Sequence, residues 1–162
     1  MGKTILNQPI IFYRDLSGAI VAMEDRCCHR HAPLSKGRLE GDNVRCLYHG
    51  LKFDKSGQCI EIPGSDRIKK NLCVKTFPVF EKNNLVWVWL GDDSLANNNE
   101  IIDCTFLKDD EWEYTEDYLF YQSDYRLIVD NLLDASHLNY VHANSIGSDP
   151  TAQVPTTTRR TD

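Results

Sequence analysis

The sequence has no apolar run long enough to cross a bilayer. Its longest, Leu85-Val86-Trp87-Val88-Trp89-Leu90, falls far short of the roughly 20 residues that a spanning helix needs. The start, Met1-Gly2-Lys3-Thr4, is followed by no apolar stretch, so no secretory signal is expected. Leu6 breaks the myristoylation pattern. There is no Lys or Arg run of useful length, and the net charge is −6, which disfavours nucleic acid and anionic membranes as partners. No Gly-x-Gly-x-x-Gly string is present, so no nicotinamide or flavin site is visible. Six cysteines in 162 residues are too few for a disulfide scaffold. The expected compartment is therefore reducing, the cytoplasm, where cysteines beside histidines read first as metal ligands.

What is present is an ordinary globular balance, 41% apolar and 26% charged. Residues 1–93 read as short strands. Ile10-Ile11-Phe12-Tyr13 and Ala19 to Met23 flank a turn at Asp15-Leu16-Ser17-Gly18. Leu51 to Asp54 and Gln58 to Ile62 flank another at Lys55-Ser56-Gly57. A third pair is Val74 to Phe80 and Leu85 to Leu90, split by Glu81-Lys82-Asn83-Asn84. β-Branched and aromatic residues punctuated by Gly, Asn and Asp predict a mainly β domain, an antiparallel sandwich or barrel. Gly91 to Glu100 is polar and turn-rich, a linker or surface loop. Beyond it, Tyr118 to Asp124 reads as a strand. Tyr125 to about Tyr140 reads as a helix, with apolar residues at Leu127, Ile128, Leu132, Leu133 and Leu138. Residues 143–162 are small, polar and Thr-rich, with no clear element.

Two loops carry chemistry. Cys27-Cys28-His29 and Cys46-Leu47-Tyr48-His49 each offer one thiolate and one imidazole at close spacing. Two such loops meeting at their tips can hold two irons asymmetrically, Cys27 and Cys46 on one and His29 and His49 on the other. Neutral histidines on one iron raise the potential to roughly −150 to +300 mV, against about −400 mV for all-cysteine plant-type clusters. A second register is open: Cys28 and His31 with Cys46 and His49 would suit a structural zinc, which would make the chain a zinc-stapled binding module. Cys59 and Cys73 read as buried small apolar residues in strands. His31 reads as a loop residue, and Cys104 has no assigned role.

The strings Asp25-Arg26-Cys27-Cys28-His29-Arg30-His31-Ala32-Pro33-Leu34-Ser35-Lys36-Gly37 and Cys46-Leu47-Tyr48-His49-Gly50-Leu51-Lys52-Phe53-Asp54 resemble the two loops of a Rieske [2Fe–2S] domain. Gly57-Gln58-Cys59-Ile60-Glu61-Ile62-Pro63-Gly64 is similar too. The chain departs from the family at Cys28, often Pro, and at Leu47, often Gly or Pro. The family does not use either position as a ligand. The resemblance implies a Rieske-type cluster on Cys27, His29, Cys46 and His49.

The predicted helix carries Asn131-Leu132-Leu133-Asp134-Ala135-Ser136-His137-Leu138-Asn139-Tyr140-Val141-His142. Asp134 and His137 are three apart and would share a helix face. His137 and His142 are five apart, too wide around an ideal helix for one small ion, so the helix must end or bulge between them to bring both to one metal. Two histidines and a carboxylate with open positions make the facial triad of non-haem Fe(II) oxygenases. An ordinary amphipathic segment with two incidental histidines is the plain alternative. The string is similar to the mononuclear-iron motif of Rieske non-haem oxygenases, in the same chain order. The resemblance implies His137 and His142 as iron ligands and Asp134 as the bridge that couples a Rieske histidine to an iron histidine. Asn131 matches a polar position near the iron. Asp134 as a direct ligand is a lesser option.

The resemblance is greatest to the oxygenase components of vanillate O-demethylases and related aryl-ether demethylases. It implies a Rieske domain at 1–93, a linker at 94–108 and the start of an α+β helix-grip catalytic domain at 109–162. It also implies two cofactors, a [2Fe–2S] cluster and a mononuclear Fe(II), and O₂-dependent hydroxylation or O-demethylation of a small aromatic substrate. The implied partners are a separate reductase of the flavin or ferredoxin type and two further copies in a homotrimer. In the family the third iron ligand is a carboxylate from much later in the chain. The stretch is therefore expected to be a fragment, inactive alone. A Rieske ferredoxin-like electron carrier with an inert tail is the alternative function.

Overall fold

Ile10 to Tyr13 and Ile20 to Met23 are unbroken apolar runs, unlike the alternating strands of a sheet with one wet face. The computed structural model, which describes residues 1–111, 113, 115 and 117–145, shows why. Strands β1 (Gly2–Ile5), β2 (Gln8–Arg14) and β3 (Ile20–Glu24) form an antiparallel sheet in that order. Both of its faces are covered. Ile11, Tyr13, Val21 and Met23 point into one apolar cluster with Val44, Phe53 and Cys59. Ile10, Phe12, Ile20 and Ala22 point into another with Phe77, Val79 and Val88. The register matches face to face, Ile11 opposite Met23 and Phe12 opposite Ala22.

The first cluster is shared with a second antiparallel sheet, β4 (Arg38–Glu40), β5 (Asn43–Arg45), β6 (Lys52–Phe53) and β7 (Cys59–Glu61). The second cluster is closed by the hairpin β8 (Val79–Lys82) and β9 (Leu85–Val88). The expected mainly β, antiparallel architecture is present. The chain forms two compact units, Met1–Tyr114 and Thr115–Asp162, and the nine strands among the described residues lie in the first.

The turns follow from side-chain chemistry. Asp15 accepts hydrogen bonds from the Ser17 amide (2.9 Å) and the Ala19 amide (3.0 Å), and Gly18 takes φ +86°. Asp54 repeats the motif, accepting from the Ser56 amide (2.9 Å) and the Gln58 amide (3.1 Å) with Gly57 at φ +81°. These are Asx turns closing hairpins. Gly57 is required twice over, because a Cβ there would lie 2.1 Å from the Val74 carbonyl oxygen.

Several expectations are corrected. β1 and the β4–β5 hairpin carry no clear strand pattern in the sequence, because Gly2–Ile5 and Arg38–Arg45 are mostly polar and half exposed. Val74 to Phe80 is not one strand. Val74 to Phe77 runs along β3, with the Glu24 amide donating to the Lys75 carbonyl (2.7 Å) and the Phe77 amide to the Ala22 carbonyl (3.0 Å). Pro78 has no amide to continue the ladder, and β8 starts after it. The turn between β8 and β9 is only Asn83-Asn84, at φ +57° and +62°, as a two-residue hairpin of that type requires. Tyr118 to Asp124 forms no strand, having no ladder partner among the described residues. Cys59 is buried as expected, but Cys73 is exposed. The Thr-rich stretch at 146–162 lies outside the described residues.

Phe53 is fully buried between the two sheets. Phe53→Ala is expected to cost about 3–5 kcal/mol, read as a lower urea midpoint. The Asp15 carboxyl is held at about 2, against 3.8 ordinarily, chiefly by the Ser17 hydroxyl and also by Lys55 at 3.2 Å. Its folded value lies below its unfolded value. Its contribution is therefore complete above about pH 5 and is lost as the pH falls from there towards 2. Asp15→Asn is expected to lower the Tm at pH 7, and the gap from the native protein should close as the pH is lowered.

Candidate functional site

The two Cys/His loops leave the core from the ends of strands and close in the same way. In the first, the Cys27 amide donates to the Ala32 carbonyl (2.9 Å) and the His31 amide to the Cys27 carbonyl (2.8 Å). In the second, the Cys46 amide donates to the Leu51 carbonyl (2.8 Å) and the Gly50 amide to the Cys46 carbonyl (3.2 Å). The left-handed residue falls at the same place in each, His31 at φ +57° and Gly50 at φ +72°. That correspondence gives His31 its place as a turn residue, exposed to solvent.

This shared geometry sorts the four candidate ligands into two pairs. Cys27 and Cys46 are both buried, with the Cys46 side chain within hydrogen-bonding reach of Cys27. Burial pushes the Cys27 thiol up to about 12, and the neighbouring Cys46 adds to the rise. A thiol as hard to ionise as that of Cys27 needs a metal to make it a thiolate. His29 and His49 are exposed, with ring centroids 4.5 Å apart and planes at 58°. Two inward sulfurs and two outward imidazoles make the donor set of an asymmetric diiron centre. Among the described residues no group of three or more Cys, His, Asp or Glu side chains is gathered for a single ion. Cys28 is half-buried and packs against the core.

Other residues hold this arrangement and were missed in the sequence. The Tyr48 ring lies 4.0 Å from the His49 ring, centroid to centroid. Asp25 accepts from the Ser35 amide (2.6 Å) and hydroxyl (2.5 Å), tying the base of the first loop. Arg45, one residue before Cys46, donates to the Gly50 carbonyl at 2.7 Å. The contiguous strings identify Tyr48 and Asp25 as neighbours of ligands, but their bonds depend on how the loops fold back.

The second constellation departs from the expected continuous helix. Helix α1 (Tyr125–Leu133) stops at Asp134, whose backbone is extended at φ −109°, ψ 91°. A 3₁₀ turn follows at Ala135–His137, then α2 (Leu138–Val141), with His142 as its C-cap. The break therefore comes before His137, and Asp134 and His137 do not share a helix face. The Asp134 carboxylate caps the new turn, accepting from the Ser136 amide at 3.0 Å. A short polar acceptor at an N-cap offers the chain this alternative to continuing the helix.

A second ending falls between the histidines, where α2 stops at Val141 and His142 leaves helical geometry as its C-cap, and the two rings lie 5.6 Å apart, centroid to centroid. His137 Nδ1 lies 2.7 Å from the Asp134 carbonyl oxygen, and a carbonyl can only accept, so Nδ1 carries the proton. That leaves the Nε2 lone pair for a metal, the tautomer that ligating histidines usually adopt. Asn131 Nδ2 lies 3.4 Å from Nε2. The Asp134 carboxyl is held below its ordinary value by Ser136, with His137 adding to the shift, so it is an anion at neutral pH. Leu119, Tyr121, Leu127, Ile128 and Asn131 line an open, mostly apolar groove of about 480 Å³ in the same unit.

Residues 1–78 match the Rieske [2Fe-2S] domain family, and residues 121–162 match the Vanillate O-demethylase oxygenase C-terminal domain family. The toluene-4-sulfonate monooxygenase system iron-sulfur subunit TsaM1 of Comamonas testosteroni is 52% identical over 94% of this chain and 44% of its own length. The vanillate O-demethylase oxygenase subunit of Pseudomonas sp. (strain HR199 / DSM 7063) is 39% identical over 98% of this chain and 45% of its own. The crystal structure of dicamba monooxygenase bound to dicamba superposes with a TM-score of 0.87 at 39% identity, over 93% of this chain and 46% of that one. The chain thus spans less than half the length of these relatives. No helix among the described residues is long and apolar enough to cross a membrane.

An imidazole pair on one iron raises the potential of a diiron cluster, so His49→Cys is expected to lower it towards the all-cysteine range of about −400 mV. Spectroelectrochemistry checks this; an unchanged potential means that His49 is not a ligand.

Proposed function

The chain belongs to the Rieske non-haem iron oxygenases, and from this we propose that it forms the electron-accepting part and the first iron ligands of an oxygenase component. The reaction class is O₂-dependent hydroxylation or O-demethylation of a small aromatic compound. The observation that supports this best is the division of Cys27, His29, Cys46 and His49 into a buried sulfur pair and an exposed imidazole pair, followed in the same chain by two histidines 5.6 Å apart, centroid to centroid. When bound, the cluster supplies single electrons and the mononuclear iron supplies activation of O₂.

The chain's own residues divide the work. Cys27 and Cys46, both buried, would anchor the cluster through sulfur, and His29 and His49, both exposed, would hold its other iron through imidazole, within reach of an electron donor. His137 and His142 present two imidazoles, and the Asp134 carbonyl keeps the proton of His137 on Nδ1, leaving Nε2 as the donor. The Asp134 carboxylate, anionic and exposed, is the acceptor for a hydrogen bond from an imidazole of a neighbouring subunit in this reading. Its role is to carry the coupling between the two centres, in a homotrimer. A third, carboxylate ligand completes the iron site from elsewhere in the polypeptide. The division of labour is a Rieske domain at 1–93, a linker at 94–108 and catalytic-domain residues from 109. The partners are a separate flavin- or ferredoxin-type reductase, O₂ and the aromatic substrate, in the cytoplasm.

The test is metal and sulfide analysis with electron paramagnetic resonance of the dithionite-reduced protein. The expected result is a red-brown protein with about two irons and about two labile sulfides per chain from the cluster, and the low average g of a histidine-ligated centre. Colourless protein with stoichiometric zinc would overturn the reading. A symmetric all-cysteine signal would contradict the imidazole ligands.

A further inference from the structure

Resting on the Rieske reading, we propose that Arg45 is a positioning residue that locks the His49-bearing loop and so fixes where that imidazole meets the diiron core. The Arg45 side chain is only 14% exposed and spends every arm of its guanidinium. Nη1 donates to the Gly50 carbonyl at 2.7 Å and to Glu61 Oε1 at 2.9 Å. Nη2 donates to Glu61 Oε2 at 2.9 Å, and Nε donates to Glu40 Oε1 at 2.7 Å. Arg45 directly precedes Cys46, and Gly50 directly follows His49. One planar group therefore ties the far end of the loop to its own start, to β7 through Glu61 and to β4 through Glu40.

The loop needs such a tie. Its tip, Leu47 to His49, is exposed, and its internal closure includes the longest of the four backbone bonds described above, 3.2 Å from Gly50 to Cys46. The first loop is braced by Asp25 on Ser35; the second has Arg45. Gly50 leaves the chain one path, because at φ +72° a Cβ would lie 2.8 Å from Pro63 Cγ. A lysine could not replace the clamp. A point charge on a flexible stem cannot reach Gly50, Glu40 and Glu61 in the fixed fork that arginine presents. Arg45 also sets the local charge. Without it, Glu40 and Glu61 face only Lys52 (3.1 Å and 3.9 Å) and, for Glu40, Arg38 (2.7 Å). The surroundings of the cluster then become more negative by one unit, which disfavours its reduction.

Position and charge are separable by experiment. Arg45→Met is expected to broaden the electron paramagnetic resonance features and lower the reduction potential. Bleaching by a ferrous-iron chelator should be roughly tenfold faster or more, the usual scale for losing an outer-shell partner. Arg45→Lys keeps the charge, so its potential should stay near native while its features broaden and its cluster bleaches as fast as in Arg45→Met. Glu61→Gln keeps the Gly50 bond and loosens the anchor to β7, so its bleaching rate should fall between. Circular dichroism checks folding; if Arg45→Met does not fold, Arg45→Lys and Glu61→Gln decide. Native line widths and bleaching rates in Arg45→Lys and Glu61→Gln would overturn the assignment. A native chain without the low average g signal would instead overturn the Rieske reading on which it rests.

Discussion

The site depends on one constraint: Cys27 and Cys46 must reach the same point at the end of the core. Both thiols are buried, and both belong to the apolar cluster that joins the two larger sheets, with Met23, Val44 and Phe53. The packing that stabilises the domain therefore also brings the sulfurs together. Each loop returns to the core five residues later, at Ala32 and at Leu51, by the same pair of backbone bonds. That closure leaves the residue two or three places beyond each cysteine, His29 or His49, on the outside. Sulfur inside and nitrogen outside thus follows from loop geometry, and Asp25 and Arg45 brace the two loops that carry it.

Charge on the second sheet is arranged around the same loop. Arg38, Arg45 and Lys52 are direct neighbours across β4, β5 and β6, with Glu61 next on β7. Three cations in a row would repel one another. Glu40 lies among all three and Glu61 between Arg45 and Lys52, and both carboxyls are held below their ordinary range by these cations. Isolated surface pairs contribute little, but a partly buried network with bidentate geometry holds its members in place. The opposite face of these strands is the apolar core, so the sheet holds the cluster loops from both sides.

In the residues from 115 onward the decisive event is local. Asp134 stops α1 by capping the next turn with its side chain, and its carbonyl accepts a hydrogen bond from His137 Nδ1. One residue thus breaks the helix and orients the histidine. Many apolar side chains there are exposed, among them Tyr118, Phe120, Leu132, Leu133 and Tyr140. The relatives that this stretch matches are more than twice as long as the chain.

The sequence alone determined the chemistry: which atoms are thiols and imidazoles, their spacing in two loops, and the order of a Cys/His pair of loops followed by two histidines. Short-range patterns, such as the Asp-x-Ser-Gly turns and the apolar strands β2 and β3, were legible for the same reason, that their causes lie within a few residues. Tertiary structure decided the rest. β1, β4 and β5 exist because neighbours complete their ladders, and their composition does not announce it. Cys73 is exposed although it has the residue type of a core position. The break at Asp134 and the four-way clamp of Arg45 arise from hydrogen bonds whose partners are chosen in space, and a one-dimensional pattern of residue types does not encode where a chain folds back upon itself.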